Sequence, residues 1–353
     1  MPLTAQTINA LSAADAAMGR LQGLGTLIKN PELLIGPYLA QEAVASSRIE
    51  GAQTSLTEVL QAEAIDRSTR ADDDIAEVER YLAATRQGYE LIKTLPIAQR
   101  LLLTLHHILR TGVRGEERSP GQFRRTPVWV GSPTDSPETA TYVPPLPGDL
   151  PDLIADWETF VNTPGDLPPL IRCALMHYQF ETIHPFLDGN GRIGRLLINL
   201  MLTAEGRLQT PLLYLSGYLE SHRKEYYERL QEVREQGSAQ QWLQFFLTAV
   251  RKSADDATAR SEQLVEIRER YLADATKSRS NLAAIVNLAF ANPFLTVTRT
   301  RRATGLSDQG ARNLIGRAVE CGWLVEAGVA GRGGRRIWVA EDIFTIIDTK
   351  PNY

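Results

Sequence analysis

Apolar residues recur at three- and four-residue spacing through much of the chain, the period of helices that bury one face. Segments 70–93, 97–110, 151–162, 167–181, 192–205, 222–236 and 239–273 all carry this signature. Several open on a helix-starting residue or an early proline, as in Asp166-Leu167-Pro168. Residues 119–147 break the rhythm. They are rich in proline and hold two short β-prone pieces, Thr126 to Val130 and Thr141 to Val143, which predicts an irregular excursion containing a β-hairpin flap.

The pattern changes again near Thr276. A polar junction, Lys277 to Ser280, precedes predicted helices over 281–291, 298–304 and 307–321 and strands over 323–327 and 336–340. Three helices followed by a hairpin is the order of a winged helix-turn-helix, with Gly305 at the turn and Gly331-Arg332-Gly333-Gly334 at the wing tip. The predicted fold class is mainly α: a helical body over 1–276 with one flap, then a small winged helix-turn-helix domain over 277–353.

Composition narrows the class without naming a chemistry. A chain of 353 residues points to two or three domains. Its 43% apolar and 23% charged residues suit a globular protein with a sizeable core. The net charge of −4 leaves no global footprint for nucleic acid or membrane. The apolar run Leu196 to Leu202 is far short of a membrane span, and Met1 to Arg20 lacks the basic start and apolar stretch of a secretory signal. The two cysteines, Cys173 and Cys321, are not in metal-type spacing, which argues against a disulfide framework or a zinc site and fits a reducing cytoplasm.

One stretch concentrates reactive groups: His184-Pro185-Phe186-Leu187-Asp188-Gly189-Asn190-Gly191-Arg192-Ile193-Gly194-Arg195. It joins two predicted helices. Gly189 and Gly191 flank Asn190, so successive backbone N–H groups can converge on an anion, and the next helix adds its positive end. Arg192 and Arg195 lie three apart on that helix's first turn, suited to grip a polyphosphate. A carboxylate beside phosphates, here Asp188, calls for a Mg²⁺ ion between them. His184 is the nearby group that takes a proton near neutral pH. A lone histidine is usually structural and a Gly-Asn-Gly loop usually a turn, but five such features within twelve residues are not.

This stretch resembles the Fic motif, H-x-F-x-[D/E]-G-N-G-R-x-x-R, at every defined position. The resemblance extends over roughly 40–250 and implies a protein adenylyltransferase, which moves AMP from ATP onto a protein hydroxyl. It divides the body into an N-terminal helical region, 1–110, and a catalytic core with following helices, 111–276. His184 would then be the general base on a Ser, Thr or Tyr hydroxyl, Asp188 the Mg²⁺ ligand, and Gly189, Asn190 and Gly191 the cradle for developing charge. Arg192 and Arg195 would hold the phosphate tail, and Phe186 would anchor the loop in the core. The flap Val128-Trp129-Val130-Gly131, led by Pro120 to Arg124, would add a target segment as a strand. Tyr226, in Glu225-Tyr226-Tyr227 followed by Leu230, would line the nucleotide base. Many relatives have Asn-Arg where this chain has His222-Arg223, which puts a role for position 222 in doubt.

Ser46-Ser47-Arg48-Ile49-Glu50-Gly51 matches the family's inhibitory motif, [S/T]-x-x-x-E-[G/N], which identifies Ser46, Glu50 and Gly51 as inhibitory. By that resemblance Glu50 would pair with Arg195 and deny it to the γ-phosphate. The scaffold also serves transfer of UMP, GMP, phosphocholine or phosphate in other members, and removal of AMP. Intact Gly191 favours nucleotide transfer, with ATP the commonest donor. The expected partners are ATP and a protein target, the chain itself included, with no membrane. Dimerisation stays open. Residues 299–336 hold eight arginines against Asp308, Glu320 and Glu326. Arg312, Asn313 and Arg317 on the predicted recognition helix and Arg335 on the wing suit DNA, while a protein-docking or dimerising winged helix remains the rival.

Overall fold

The computed structural model describes residues 2–27, 32–65, 73–131, 134–209, 211–277, 281–330 and 334–349. The body consists of α1 (Ala5–Leu27), α2 (Glu32–Ile49), α3 (Leu56–Ala64), α4 (Asp73–Leu91), α5 (Gln99–Arg110), α6 (Leu150–Asn162), α7 (Pro169–Ile183), α8 (Asn190–Ala204), α9 (Leu215–Ser221), α10 (Arg223–Gln236) and α11 (Ala239–Lys277). The helices predicted from periodicity in this part are all present, with ends shifted by a few residues. The local signals are readable: Ser55 caps α3 in a reciprocal box with Glu58, and Gly237 closes α10 in the left-handed region at φ 67°.

The centre of the body is α8, whose residues Asn190 and Arg192 to Leu202 are all buried. Helices α2, α4, α5 and α7 pack around it, so the loop that opens α8 is enclosed on several sides. The long α11 runs beside α1, where Ala14, Ala17, Met18 and Leu21 are buried. The small side chains of Ala14 and Ala17 let the two helices lie close together.

Beyond α11 come α12 (Leu282–Ala291), β1 (Phe294–Leu295), α13 (Val297–Thr304), α14 (Asp308–Glu320), β2 (Val325–Ala330), β3 (Arg335–Val339) and α15 (Glu341–Asp348). The strands form an antiparallel sheet in the order β1-β3-β2, with Phe294 opposite Val339 and Val325 opposite the same residue. Strand β1 and helix α15 add to the expected order of elements. Of the predicted wing tip, Gly331 to Gly333 lie outside the described residues, as do Ser278 to Ser280 of the junction.

The apolar core runs without a break from Ala14 to Ile347. Polar contacts reinforce it. Arg260 donates to the carbonyls of Ile346, Ile347 and Thr349, Asn292 to Leu60, and Arg335 to Ile65. These bonds tie the C-terminal elements to α11 and α3, and α12 and α15 also pack against α2. Among the described residues no helix is long and apolar enough to cross a membrane.

The flap departs from expectation. Among the described residues, the hairpin predicted around Val128–Gly131 is held by one bridge, in which Val130 and Tyr142 exchange N–H···O bonds of 2.8 and 3.1 Å. Pro127 has no N–H to extend the ladder on one side, and Pro144 and Pro145 stop it on the other.

Candidate active site

Helix α7 ends on His184, which adopts the left-handed conformation (φ 50°, ψ 60°) and donates its N–H to Phe180 O at 2.9 Å. A non-glycine residue held there is strained, so its surroundings must enforce it. Buried Arg124 does so: its Nε donates to His184 O at 2.8 Å and its Nη2 to Pro145 O at 2.6 Å. Two residues on, Phe186 is fully buried and stacked on His106 at 3.8 Å. Asn190 locks the same turn, accepting Phe186 N–H at 2.9 Å and donating to Phe186 O at 2.8 Å.

His106 reaches the loop from α5. Its Nδ1 accepts the Gly121 N–H at 2.9 Å, so the proton resides on Nε2, which donates to Asp188 O at 2.9 Å. Burial pushes His106 down to about 4, in keeping with a neutral ring. His184 is likewise pushed down to about 4 by burial, with the Glu181 backbone and the Glu50 carboxylate opposing. It is therefore a neutral proton acceptor at pH 7, and its Nδ1 has no hydrogen-bond partner among the described residues.

The first two turns of α8 carry two buried cations with different partners. Arg192 pairs with Glu77 of α4 at 2.9 Å and approaches Asp188 at 3.6 Å. Arg195 donates from Nε to Ser46 Oγ and from Nη2 to Ser46 O, each at 2.9 Å, and meets Glu50 Oε1 at 2.7 Å. Glu50 directly follows α2 and precedes Gly51, whose φ of 103° turns the chain away. A third of the Glu50 side chain is open to solvent, whereas that of Arg195 is enclosed. Crowding alone would raise the Glu50 carboxyl; Arg195 overrides it and holds the group below the ordinary carboxylate range. Gly191 makes room for this pair: a Cβ there would collide with Glu50 Oε1 and lie 2.9 Å from Arg195 Nη1.

Residues 8–90 match the N-terminal model of the Fic/DOC family, and residues 96–202 match the Fic/DOC family model itself. The chain belongs to the Fic/DOC family. It is 34% identical over 167 residues to the protein adenylyltransferase Fic of Drosophila grimshawi, covering 47% of this chain and 31% of that protein. The corresponding Culex quinquefasciatus protein is 34% identical over 137 residues, 38% of this chain and 24% of that one. The chain thus spans about a third or less of these relatives' length. In fold it is similar to a Fic family protein from Desulfovibrio desulfuricans G20, with a TM-score of 0.62 at 24% identity over 96% of this chain and 97% of that one. It is also similar to Fic-1 (aa134 - 508) from C. elegans, with a TM-score of 0.54 at 21% identity over 74% and 73%.

For this Fic/DOC chain, two expected site residues need correction. Tyr226 is fully buried, its hydroxyl 2.8 Å from His177 Nε2 and its ring among His177, Trp242 and Phe245, so it packs in the core rather than against a nucleotide. Its neighbour Tyr227 is 39% exposed and lies within the electrostatic reach of Glu50 and Arg195. The side chain of Asn190 is occupied by Phe186, which leaves its backbone to the cradle.

Sequence reasoning missed Glu181, Arg110, Arg118 and His106. Glu181, a turn before His184, is pushed up to about 7 by burial, and its Oε1 has no partner among the described residues. Arg110 and Arg118 both reach Asp188, at 3.1 and 3.2 Å. No cluster of three or more His, Cys, Asp or Glu able to hold a metal occurs among the described residues. Asp188, partly exposed and ringed by cations, fits a Mg²⁺ that brings most of its ligands from phosphate and water.

On the C-terminal elements, Arg312, Asn313 and Arg317 are exposed on α14, with Asn313 accepting from Gln309 at 2.8 Å. Arg335 is exposed on β3, and its Nη1 donates to Ile65 O at 2.8 Å.

Proposed function

We propose that this chain is a protein adenylyltransferase, transferring AMP from ATP to Ser, Thr or Tyr hydroxyls of proteins, itself included, and restrained by Glu50. The observation that carries the reading is the His184 imidazole, fixed at the left-handed cap beside a helix N-terminus with two buried arginines in its first two turns. The relatives' printed name, protein adenylyltransferase Fic, supports it.

A target hydroxyl approaching His184 gives up its proton to the imidazole as its oxygen attacks the α-phosphorus. The bond from that phosphorus to the bridging oxygen of the β-phosphate breaks, and pyrophosphate leaves. A positioned base contributes about 10²–10⁴-fold. The N–H groups around Gly189–Gly191 point at the charge that develops on the α-phosphate oxygens. Arg192 and Arg195 hold the tail that departs. Asp188 would hold Mg²⁺, which would supply neutralisation of phosphate charge. The single-bridge flap at Val130 leaves the edge around Trp129 open for an extended target segment.

Glu50 occupies Arg195 in competition with the γ-phosphate. A charged hydrogen bond of this kind contributes about 1.5–3 kcal/mol, while complete reversal of a two-state balance takes about 5.5 kcal/mol. Basal activity therefore persists, and self-modification is its expected sign.

The proposed division is 1–110, 111–276 and 277–353, the last boundary resting on the change of pattern near Thr276, and the proposed cytoplasmic location rests on two cysteines outside metal-type spacing. Nucleic-acid binding by 277–353 as a winged helix-turn-helix is a second reading. It is supported by the exposed arginines of α14 and by a cavity of about 590 Å³ where Arg312, Arg335 and Arg336 meet Asp308 and Trp338. Steeply salt-dependent duplex binding would establish it.

Intact-mass spectrometry of wild type, Glu50→Gly and His184→Ala, each incubated with Mg²⁺ and ATP, tests the main reading. An AMP adduct strongest in Glu50→Gly and absent in His184→Ala is expected. An equal adduct in His184→Ala would remove the assigned base, and no adduct in any variant, with added protein acceptors too, would remove the transferase.

A further inference from the structure

Three guanidinium groups converge on one carboxylate at the mouth of the loop. Asp188 Oδ2 lies 3.1 Å from Arg110 Nη2 and 3.2 Å from Arg118 Nη1, and Oδ1 lies 3.6 Å from Arg192 Nη2. Asp188 is the carboxylate all three share; Glu77 also holds Arg192 at 2.9 Å, and Glu117 stands 4.0 Å from Arg118.

The three cations are not equivalent. Arg110 is buried and its Nη2 also donates to Arg114 O at 2.7 Å. Arg192 is buried and held by Glu77 at 2.9 Å. Both are fixed in place. Arg118 has 55% of its side chain exposed, and its other carboxylate among the described residues is Glu117 at 4.0 Å. It hangs from a turn in which its N–H donates to Gly115 O at 3.0 Å, outside the loop of the motif. A long, solvated cation held chiefly by Asp188 follows the negative charge when that charge moves.

We propose that Arg118 is a phosphate-binding residue of the nucleotide site, which holds Asp188 in the free protein and moves to the phosphates of ATP when that carboxylate turns to a divalent cation. The inference rests on the ATP reading above. Its electrostatic basis is simple. Once the charge of Asp188 is shared with a cation, the guanidiniums face net positive charge, and a polyphosphate is the group that restores balance. Arg118 is the one with freedom to reach it. The same geometry makes Arg118 and the cation competitors for one carboxylate oxygen, so removing Arg118 has two opposite effects.

The test uses the full chain carrying Glu50→Gly, alone and with Arg118→Ala or Arg118→Lys, and reads binding of a fluorescent ATP analogue with and without Mg²⁺. Arg118→Ala is expected to weaken nucleotide binding by about threefold to tenfold, the scale of a partly exposed charged contact. It is also expected to lower the Mg²⁺ concentration needed for half-maximal effect, and Arg118→Lys is expected to recover part of both. Unchanged nucleotide affinity overturns the proposal, and so does a Mg²⁺ requirement that stays put or rises. If the Glu50→Gly parent binds no ATP, the proposed function falls and this inference with it. The unliganded melting temperature, expected to be unchanged, shows that each variant is folded.

Discussion

Glu50 Oε1 and Arg195 Nη2 stand 2.7 Å apart although 145 residues separate them in sequence. The contact joins the end of α2 to the first two turns of α8, and Ser46 completes it from the same helix. Loss of the carboxylate frees the guanidinium that the phosphate tail requires. Glu50→Gly is therefore expected to raise the initial rate of AMP incorporation by about 10- to 100-fold, the equivalent of about 1.5–3 kcal/mol. Radiolabel incorporation at saturating ATP measures it; an unchanged rate would show that the pair does not restrain the site.

Gly191 and Glu50 are expected to be thermodynamically coupled. Gly191→Ala places a methyl group against Glu50 Oε1 and Arg195. Its cost, about 1–3 kcal/mol for an overpacked site, should shrink when Glu50→Gly is already present. Urea denaturation of the four proteins in the cycle checks this, and additive costs would refute it.

The pH profile of stability follows from opposing groups. His106 and His184 are held down to about 4 and His177 to about 3, all chiefly by burial. A depressed histidine stabilises the fold fully above its unfolded value, and this is lost as pH falls toward the folded value. Glu42 and Glu181 are raised by burial to about 7, so their contribution is present below the ordinary carboxylate range and fades as pH rises to about 7. Between about 4.5 and 6.5 three histidines outweigh two carboxyls, a net slope of about one proton, or about 1.4 kcal/mol per pH unit. Below about 4.5 the carboxyl offset ends and the loss steepens. Stability should peak near pH 6.5, which chemical denaturation from pH 4 to 8 will show. A maximum below pH 5 would contradict it.

Catalysis should respond to pH differently from an ordinary histidine. With His184 neutral down to about 4, the AMP-transfer rate of the Glu50→Gly variant should show no acid limb near 6.5. A pH–rate profile at saturating nucleotide decides it.

Tyr226 and Tyr227 separate packing from binding. Tyr226→Phe removes the partner of His177 Nε2 and should cost about 1–2 kcal/mol of stability, with the KM for ATP unchanged. Tyr227→Ala should leave the melting temperature near wild type and raise that KM several-fold. The reverse pattern would restore the original assignment of Tyr226.

Much of this was legible in the chain. Periodicity located the helices from α4 to α14 that carry a continuous apolar stripe, apart from the short α9. The first two helices were harder to see. Helix α1 buries alanines against α11, and alanine marks neither face strongly, while Pro37 interrupts the pattern of α2. The flap was over-predicted because β-prone residues such as Val128 and Val130 say nothing about whether flanking prolines leave a ladder to form. The adjacent tyrosines show a similar limit. Tyr226 and Leu230 repeat at helical spacing and so mark the buried face of α10, while Tyr227 is turned about 100° away.

By itself the sequence determined the chemistry on offer: a histidine, a carboxylate, a glycine cradle and two arginines within twelve consecutive residues, because short-range geometry compels neighbours to share a loop. Tertiary structure decided who meets whom. It brought Glu50 and Ser46 to Arg195, Glu77 to Arg192, and Arg110 and Arg118 to Asp188, contacts between residues tens to well over a hundred positions apart. Burial did the rest, since the protonation of His184 and Glu181 is set by how much water packing removes, a quantity no local run of residues encodes.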